Sequence, residues 1–372
     1  MKVVVALDSF KGSLTAMEAS HLVASRLRDI RPGWQVLSCP MADGGEGTAS
    51  VLVAARNGAW HKVDRITGPL PGMKLTAGYG WLPVSRTAVV EMAAASGLAL
   101  LSRGQRNPLR TTSFGTGQLI AEAARQGARR ILLTLGGSAT VDGGTGAAAA
   151  LGWRFLDCRG RDLPPGGGFL GRIRRFVPPI LELPEIEVLC DVENTLCGTN
   201  GAARVFAPQK GATPWMVLEL EQGLRHLAGL IRRQLGIETL QIRGGGAAGG
   251  FGAGAVSFFG ARLVSGVQTV MKAIALDEAL SGADWVITGE GCFDEQSFQG
   301  KVVSGVRDLA VRKGVKVAVL AGRVKVTPER WQEEGISLVK ASAGAALDEG
   351  SALANAESLL ADAVHHLTAD LT

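Results

Sequence analysis

The segment "KVVVALDS" (Lys2–Ser9), followed by "TAMEASHLVASRLRDI" (Thr15–Ile30), sets the fold class. The apolar run Val3–Leu7 is unbroken, as expected of a strand buried on both faces. The stretch after it carries apolar residues at helical spacing until "RPGW" (Arg31–Trp34) stops it. The same scheme returns in "RRILLTLGG" (Arg129–Gly137), which precedes a helix of small residues. It returns again in "DWVITGEG" (Asp284–Gly291) and "VKVAVLAG" (Val315–Gly322). Strands alternating with helical crossovers predict an α/β protein with mostly parallel sheets.

Composition narrows the function classes. The chain has 372 residues, 46% of them hydrophobic, enough for a large core and more than one domain. Its 51 glycines show no three-residue period and are expected in loops and at close backbone approaches. The opening "MKVVVALDSF" has too few apolar residues before Asp8 for a secretory or membrane segment, and the weakly polar run "AAGGFGAGAVSFFGA" (Ala247–Ala261) reads as a packed internal helix. A cytoplasmic protein with no membrane partner is expected. A net charge of +5 with 5% aromatic residues and no long basic run argues for a small anionic substrate rather than nucleic acid, and "RIRRF" (Arg172–Phe176) reads as a solvated loop edge. Five cysteines without a Cys-x-x-Cys pair argue against a disulfide framework or a zinc site, and five scattered histidines give no local support to a Ser-His-Asp arrangement.

The chain twice places an aspartate and glycines ahead of a helix-forming run: "DGGEGTA" (Asp43–Ala49) and "DGGTGAA" (Asp142–Ala148). Backbone N–H groups at a helix N-terminus could face a phosphate there; the alternative is that Asp43 and Asp142 are helix caps beside tight turns. The familiar nucleotide loops are absent. Around Gly300-Lys301, Glu295 and Val302 replace the first glycine and the hydroxyl of a P-loop. Gly244, Gly246 and Gly249 form a Gly-x-Gly-x-x-Gly, but no acid follows before Asp277. Asp8, Asp191 and Glu290 each end an apolar strand, where α/β sheets bind ligands. Convergence with Lys11, Lys210 and Lys301 would suit phosphoryl transfer.

Eight ordered motifs then carry a resemblance. "DSFKGSLTAMEA" (Asp8–Ala19), "PMADGGEGT" (Pro40–Thr48), "TSFGTGQLI" (Thr112–Ile120), "GGSATVDGG" (Gly136–Gly144), "CDVEN" (Cys190–Asn194), "FAPQKGAT" (Phe206–Thr213), "GGGAAGG" (Gly244–Gly250) and "TGEGCFDEQSFQGK" (Thr288–Lys301) are similar to the type I glycerate kinase family. The resemblance implies phosphorylation of glycerate, expected to be D-glycerate, by ATP with Mg²⁺ to 2-phosphoglycerate. It also implies two α/β domains, one inserted into the other. With the turn-rich "ITGPLPGM" (Ile66–Met73) and "LSGADW" (Leu280–Trp285), it sets the boundaries at 1–66 plus 284–372 for a flavodoxin-like or Rossmann-like domain and 67–283 for a glycine-rich insert.

Residue roles follow from the same resemblance. Asp191 is the expected proton acceptor, with Asp43 as its rival, and Lys11 and Lys301 oppose phosphate charge. Asp8, Ser9, Gly44, Gly45, Glu46, Asn194, Gln209 and Lys210 are expected at the substrate, and Glu290 and Asp294 at the metal. Gly136, Gly137, Ser138, Thr140 and Gln296 are assigned to the nucleotide, although the Gly136–Thr140 loop would equally shape the glycerate pocket. Val141, Thr195 and Cys292 depart from the usual Asn, Pro and Arg. A lost arginine at 292 weakens nucleotide or product binding if it normally touches phosphate and changes nothing if it lies at the surface. These departures are what a catalytically silent sugar-acid or nucleotide sensor would show; the intact Asp, Glu and Lys set opposes it.

Overall fold

Unbroken apolar runs become central strands. In chain order the strands of this computed structural model are β1 (Lys2–Leu7), β2 (Gln35–Ser38), β3 (Ala59–Thr67), β4 (Lys74–Leu82), β5 (Thr87–Glu91), β6 (Arg130–Thr134), β7 (Arg154–Leu156), β8 (Arg175–Val177), β9 (Glu185–Leu189), β10 (Arg262–Val264), β11 (Trp285–Phe293), β12 (Lys316–Val324) and β13 (Leu338–Ala341). The structure describes residues 1–344 and 347–371. It divides into two compact units, Met1–Asp43 with Val267–Thr372, and Gly44–Gly266.

The first unit holds a five-stranded sheet in the order β13-β12-β11-β1-β2, with every neighbouring pair parallel. Strand order reverses between β1 and β11: the chain proceeds from β1 outward to β2 on one side, and from β11 outward to β13 on the other. The helix Ala16–Ile30 begins at a capping box, in which the Glu18 amide donates to Thr15 Oγ1 at 3.2 Å and the Thr15 amide donates to Glu18 Oε2 at 2.9 Å. It packs beside the helix Ala356–Asp370, and Val23, Leu27, Leu360 and Leu367 join Val3, Val5 and Ile287 in one core.

The second unit holds a six-stranded mixed sheet in the order β10-β9-β6-β5-β4-β3, in which β3, β4 and β5 are antiparallel and β5, β6, β9 and β10 parallel. Its limits differ from those drawn on the sequence. "ITGPLPGM" is the turn of the β3–β4 hairpin, closed by Gly68 N–H donating to the Met73 carbonyl at 2.9 Å, so the residues before it stay with the second unit. The run Ala247–Phe259 is a buried helix interrupted at Ala248, Gly249 and Gly250. "RIRRF" differs from the loop edge expected of it: Arg175–Val177 pairs with β7, and Ile173 and Phe176 enter the core while the arginines stay in solvent.

Candidate active site

In the first unit a cavity of about 370 Å³ opens beyond the carboxyl ends of β1 and β11. That is the point of reversed strand order at which open α/β sheets bind ligands, and the volume lies in the range of small-molecule sites. Asp8, Ser9 and Lys11 line it from the turn after β1, and Glu290, Asp294 and Lys301 from the end of β11 and the turn beyond; Asp43 is also in its wall. The strand ends approach closely because residue 322 has no side chain: a Cβ there would lie 2.4 Å from the Gly291 carbonyl oxygen.

The carboxylates are crowded. Asp8 is buried, and Oδ1 accepts from the Ser9 amide at 2.7 Å. Burial pushes its carboxyl up to about 7; the negative charge of Asp43 adds to this, the Ser9 amide and Lys11 oppose it, and Glu290 adds a smaller push. Burial also raises Glu290, against the Ser297 hydroxyl and the Lys301 ammonium. Glu290 Oε2 lies 3.9 Å from Lys301 Nζ, whereas Oε1 is buried with no hydrogen-bond partner among the described residues. Gln296 is exposed on the turn Glu295–Phe298, and its amide donates to Asp294 Oδ1 at 2.9 Å.

These residues fit one mode of Mg²⁺ binding. No group of three His, Cys, Asp or Glu side chains able to hold a metal occurs among the described residues. Mg²⁺ is usually held by one or two carboxylates together with substrate phosphates, and Glu290, with its orphaned oxygen and Asp294 as a charged neighbour, suits that mode.

The remaining predicted residues belong to the second unit. Gly45 lies under the loop that follows β6, so closely that a Cβ on Gly136 would come within 2.7 Å of its Cα. Gly44 lies against Leu189 at the end of β9, and Glu46 Oε2 would be 3.5 Å from a Cβ on Gly137. Asp191 follows β9, and its Oδ1 accepts from the Gly266 amide at 3.2 Å. Asn194 Nδ2 donates to the Asn200 carbonyl at 2.9 Å, and Gln209 is exposed. Lys210 is buried, and its Nζ donates to Ser138 Oγ at 2.8 Å and to the Thr140 carbonyl at 2.7 Å. Burial pushes this ammonium down to about 7, against the pull of Asp142.

In each repeated Asp-Gly-Gly phrase a protein carboxylate accepts amides at the helix start, and in the second copy it is Asp142 itself, the capping alternative read from the sequence. In the first copy, Glu91 at the end of β5 accepts the Ala49 amide at 2.8 Å and also the Gly47 amide. In the second, buried Asp142 accepts from the amides of Gly144 at 3.1 Å and Gly146 at 3.3 Å, and from the amide and hydroxyl of Ser113, both at 2.8 Å. The anion at each helix start is a protein carboxylate, because a buried N–H must find an acceptor inside the chain.

Of the three departures from the family pattern, Val141 is buried in the core of the second unit, and Thr195 Oγ1 donates to the Cys197 carbonyl at 3.1 Å. Cys292 lines the cavity and lies beside Arg323 in the β11–β12 register. Arg323, Lys325 and Leu353 also line the cavity and escaped the sequence reading. The two cations follow the apolar strand "VKVAVLAG", so the strand-end rule applied to Asp8 and Glu290 would have found them; Leu353 carries no such signal.

Comparison with known proteins decides the family. Residues 3–372 match the family described as the glycerate kinase family. The chain belongs to the glycerate kinase family. It is 44% identical to a glycerate 2-kinase of Escherichia coli (strain K12) over 91% of this chain and 90% of that one. It is 41% identical to a glycerate kinase of Halalkalibacterium halodurans over 98% and 97% of the respective chains. A crystal structure from Salmonella typhimurium LT2, provisionally assigned as glycerate kinase 2, superposes with a TM-score of 0.85 at 41% identity, covering 100% of this chain and 98% of that chain. Membership in the glycerate kinase family makes the protein an enzyme of the kinase class of transferases. No helix among the described residues is long and apolar enough to cross a membrane.

Proposed function

We propose that the protein transfers the γ-phosphoryl group of ATP to the 2-hydroxyl of D-glycerate, giving 2-phosphoglycerate and ADP. The observation that carries this reading is the crevice of the first unit, which combines Asp8, Asp43 and Glu290 with Lys11 and Lys301 around a buried carboxylate oxygen that has no hydrogen-bond partner among the described residues. The name of the 44% identical Escherichia coli relative supports the choice of hydroxyl. In the reaction the glycerate hydroxyl oxygen bonds to the γ-phosphorus, the bond to the β–γ bridging oxygen breaks, and the hydroxyl proton passes to a carboxylate. Asp191, whose Oδ1 accepts from the Gly266 amide, is assigned that role; Asp43 is the alternative.

Lys11 and Lys301 oppose the charge that develops on the transferred group. Mg²⁺ held through Glu290 and Asp294 would neutralise phosphate charge when bound. Gly44, Gly45 and Glu46, with the Gly136–Ser138 loop, shape the glycerate pocket, and Lys210 acts by holding that loop through Ser138 and Thr140. The test is a coupled ADP-release assay with purified protein, Mg-ATP and D-glycerate, followed by NMR of the product. Turnover to 2-phosphoglycerate is expected. Formation of 3-phosphoglycerate would overturn the choice of hydroxyl, and absence of ADP release would overturn the kinase reading for this chain.

A further inference from the structure

The crevice of the first unit has two kinds of surface. Its floor, at the carboxyl ends of four neighbouring strands, is charged. One wall is not: Ala352 and Leu353, and Ala356 and Leu359, belong to the consecutive helices Glu349–Ala354 and Ala356–Asp370, and all four line the same cavity. Leu353 is 40% exposed although it is a large aliphatic residue, and it lies beside the turn after β1, with Cδ2 3.6 Å from where a Gly12 Cβ would stand. Between floor and wall stand Arg323 and Lys325 from the end of β12. Arg323 is fixed by donating to the Leu347 carbonyl at 3.0 Å.

Glycerate has three carbons, each bearing oxygen, and offers nothing apolar to such a wall. A ligand that matches both surfaces has a flat, weakly polar ring at one end and several negative charges at the other. We infer that this cavity is the nucleotide site: the purine ring of ATP lies against Leu353 and its helical neighbours, and Arg323 and Lys325 receive the phosphates together with Lys11. This places the nucleotide wholly on the first unit and removes it from the Gly136–Thr140 loop. The inference rests on the phosphotransfer reading only for its choice of ATP among polyanionic ring compounds.

The test uses the full chain and ADP, with binding measured by calorimetry apart from turnover. Leu353→Asp places a carboxylate where the ring would lie and is expected to weaken ADP at least tenfold. Lys325→Ala is expected to weaken ADP three- to tenfold while leaving adenosine unchanged. Both should raise KM for ATP and leave KM for glycerate within twofold. Because Leu353 and Lys325 are exposed, both variants should retain the wild-type melting temperature. If both bind ADP as the wild type does while the wild type phosphorylates glycerate, the site assignment is overturned and the kinase reading stands. If both lose ADP but the wild type fails to phosphorylate glycerate, the assignment stands and the kinase reading fails.

Discussion

Lysine and carboxylate occur together in two settings, with opposite outcomes. In the second unit, Asp142 accepts four hydrogen bonds and Lys210 gives two, so both charged groups are engaged inside the protein. In the crevice of the first unit, Glu290 Oε1 finds no hydrogen-bond partner among the described residues, and Asp43 and Glu290 each repel the charge of Asp8. Both clusters carry the same residue types beside glycine-rich turns. A saturated cluster holds backbone in place, whereas an unsatisfied one retains interactions to offer a ligand.

The largest expected effect falls on the saturated cluster. Asp142→Ala leaves the Ser113, Gly144 and Gly146 donors buried without an acceptor and should cost about 3–5 kcal/mol in urea unfolding. A loss below about 1 kcal/mol would mean that the network does not hold the loop. On the other side, Lys301→Ala should lower kcat about 10²-fold, equivalent to about 2.7 kcal/mol, with little change in unfolding free energy. An unchanged kcat would remove Lys301 from the site.

A smaller effect concerns pH. Below about 7 both folded and unfolded states protonate Lys210, and burial of the ammonium destabilises the fold in full. Between about 7 and the ordinary value of 10.5 only the unfolded state carries the proton, so this group's contribution to stability rises with pH, by at most about 1.4 kcal/mol per unit. The stability of wild type relative to Lys210→Met should therefore increase from about pH 7 to about pH 9; a flat difference would show that the ammonium is not penalised by burial. The smallest effect is expected at position 292. Cys292→Arg adds a cation to the crevice wall and should lower KM for ATP about threefold, whereas an unchanged KM would show that this part of the wall does not meet phosphate.

Much of the first unit was legible because its signals are local. Val3–Leu7 and "WVIT" are long enough apolar runs to define parallel strands, and the acids that end them, Asp8 and Glu290, fall at the switch point by topology alone. The second unit was less legible. Its β3–β4 hairpin has a turn rich in Gly and Pro that reads like a domain boundary, and Lys62, Asp64 and Arg65 interrupt any apolar run in β3. The two Asp-Gly-Gly phrases look alike in sequence, yet the first helix start is capped by Glu91, 42 positions beyond Ala49, and the second by Asp142 of the phrase itself. The distant Glu91 leaves no pattern within the first phrase, whereas the cap of the second is the aspartate of the phrase, one of the two readings the sequence offered for it.

Glu290→Gln offers the most direct test of the contrast between the clusters, with turnover and melting temperature measured on one preparation. The substitution keeps the shape of the side chain and removes the charge beside the orphaned oxygen. The kcat with Mg-ATP and D-glycerate is expected to fall about 10³-fold while the melting temperature stays at or above that of the wild type. Turnover within threefold of wild type would contradict this contrast, because the unsatisfied carboxylate would then have no part in the chemistry.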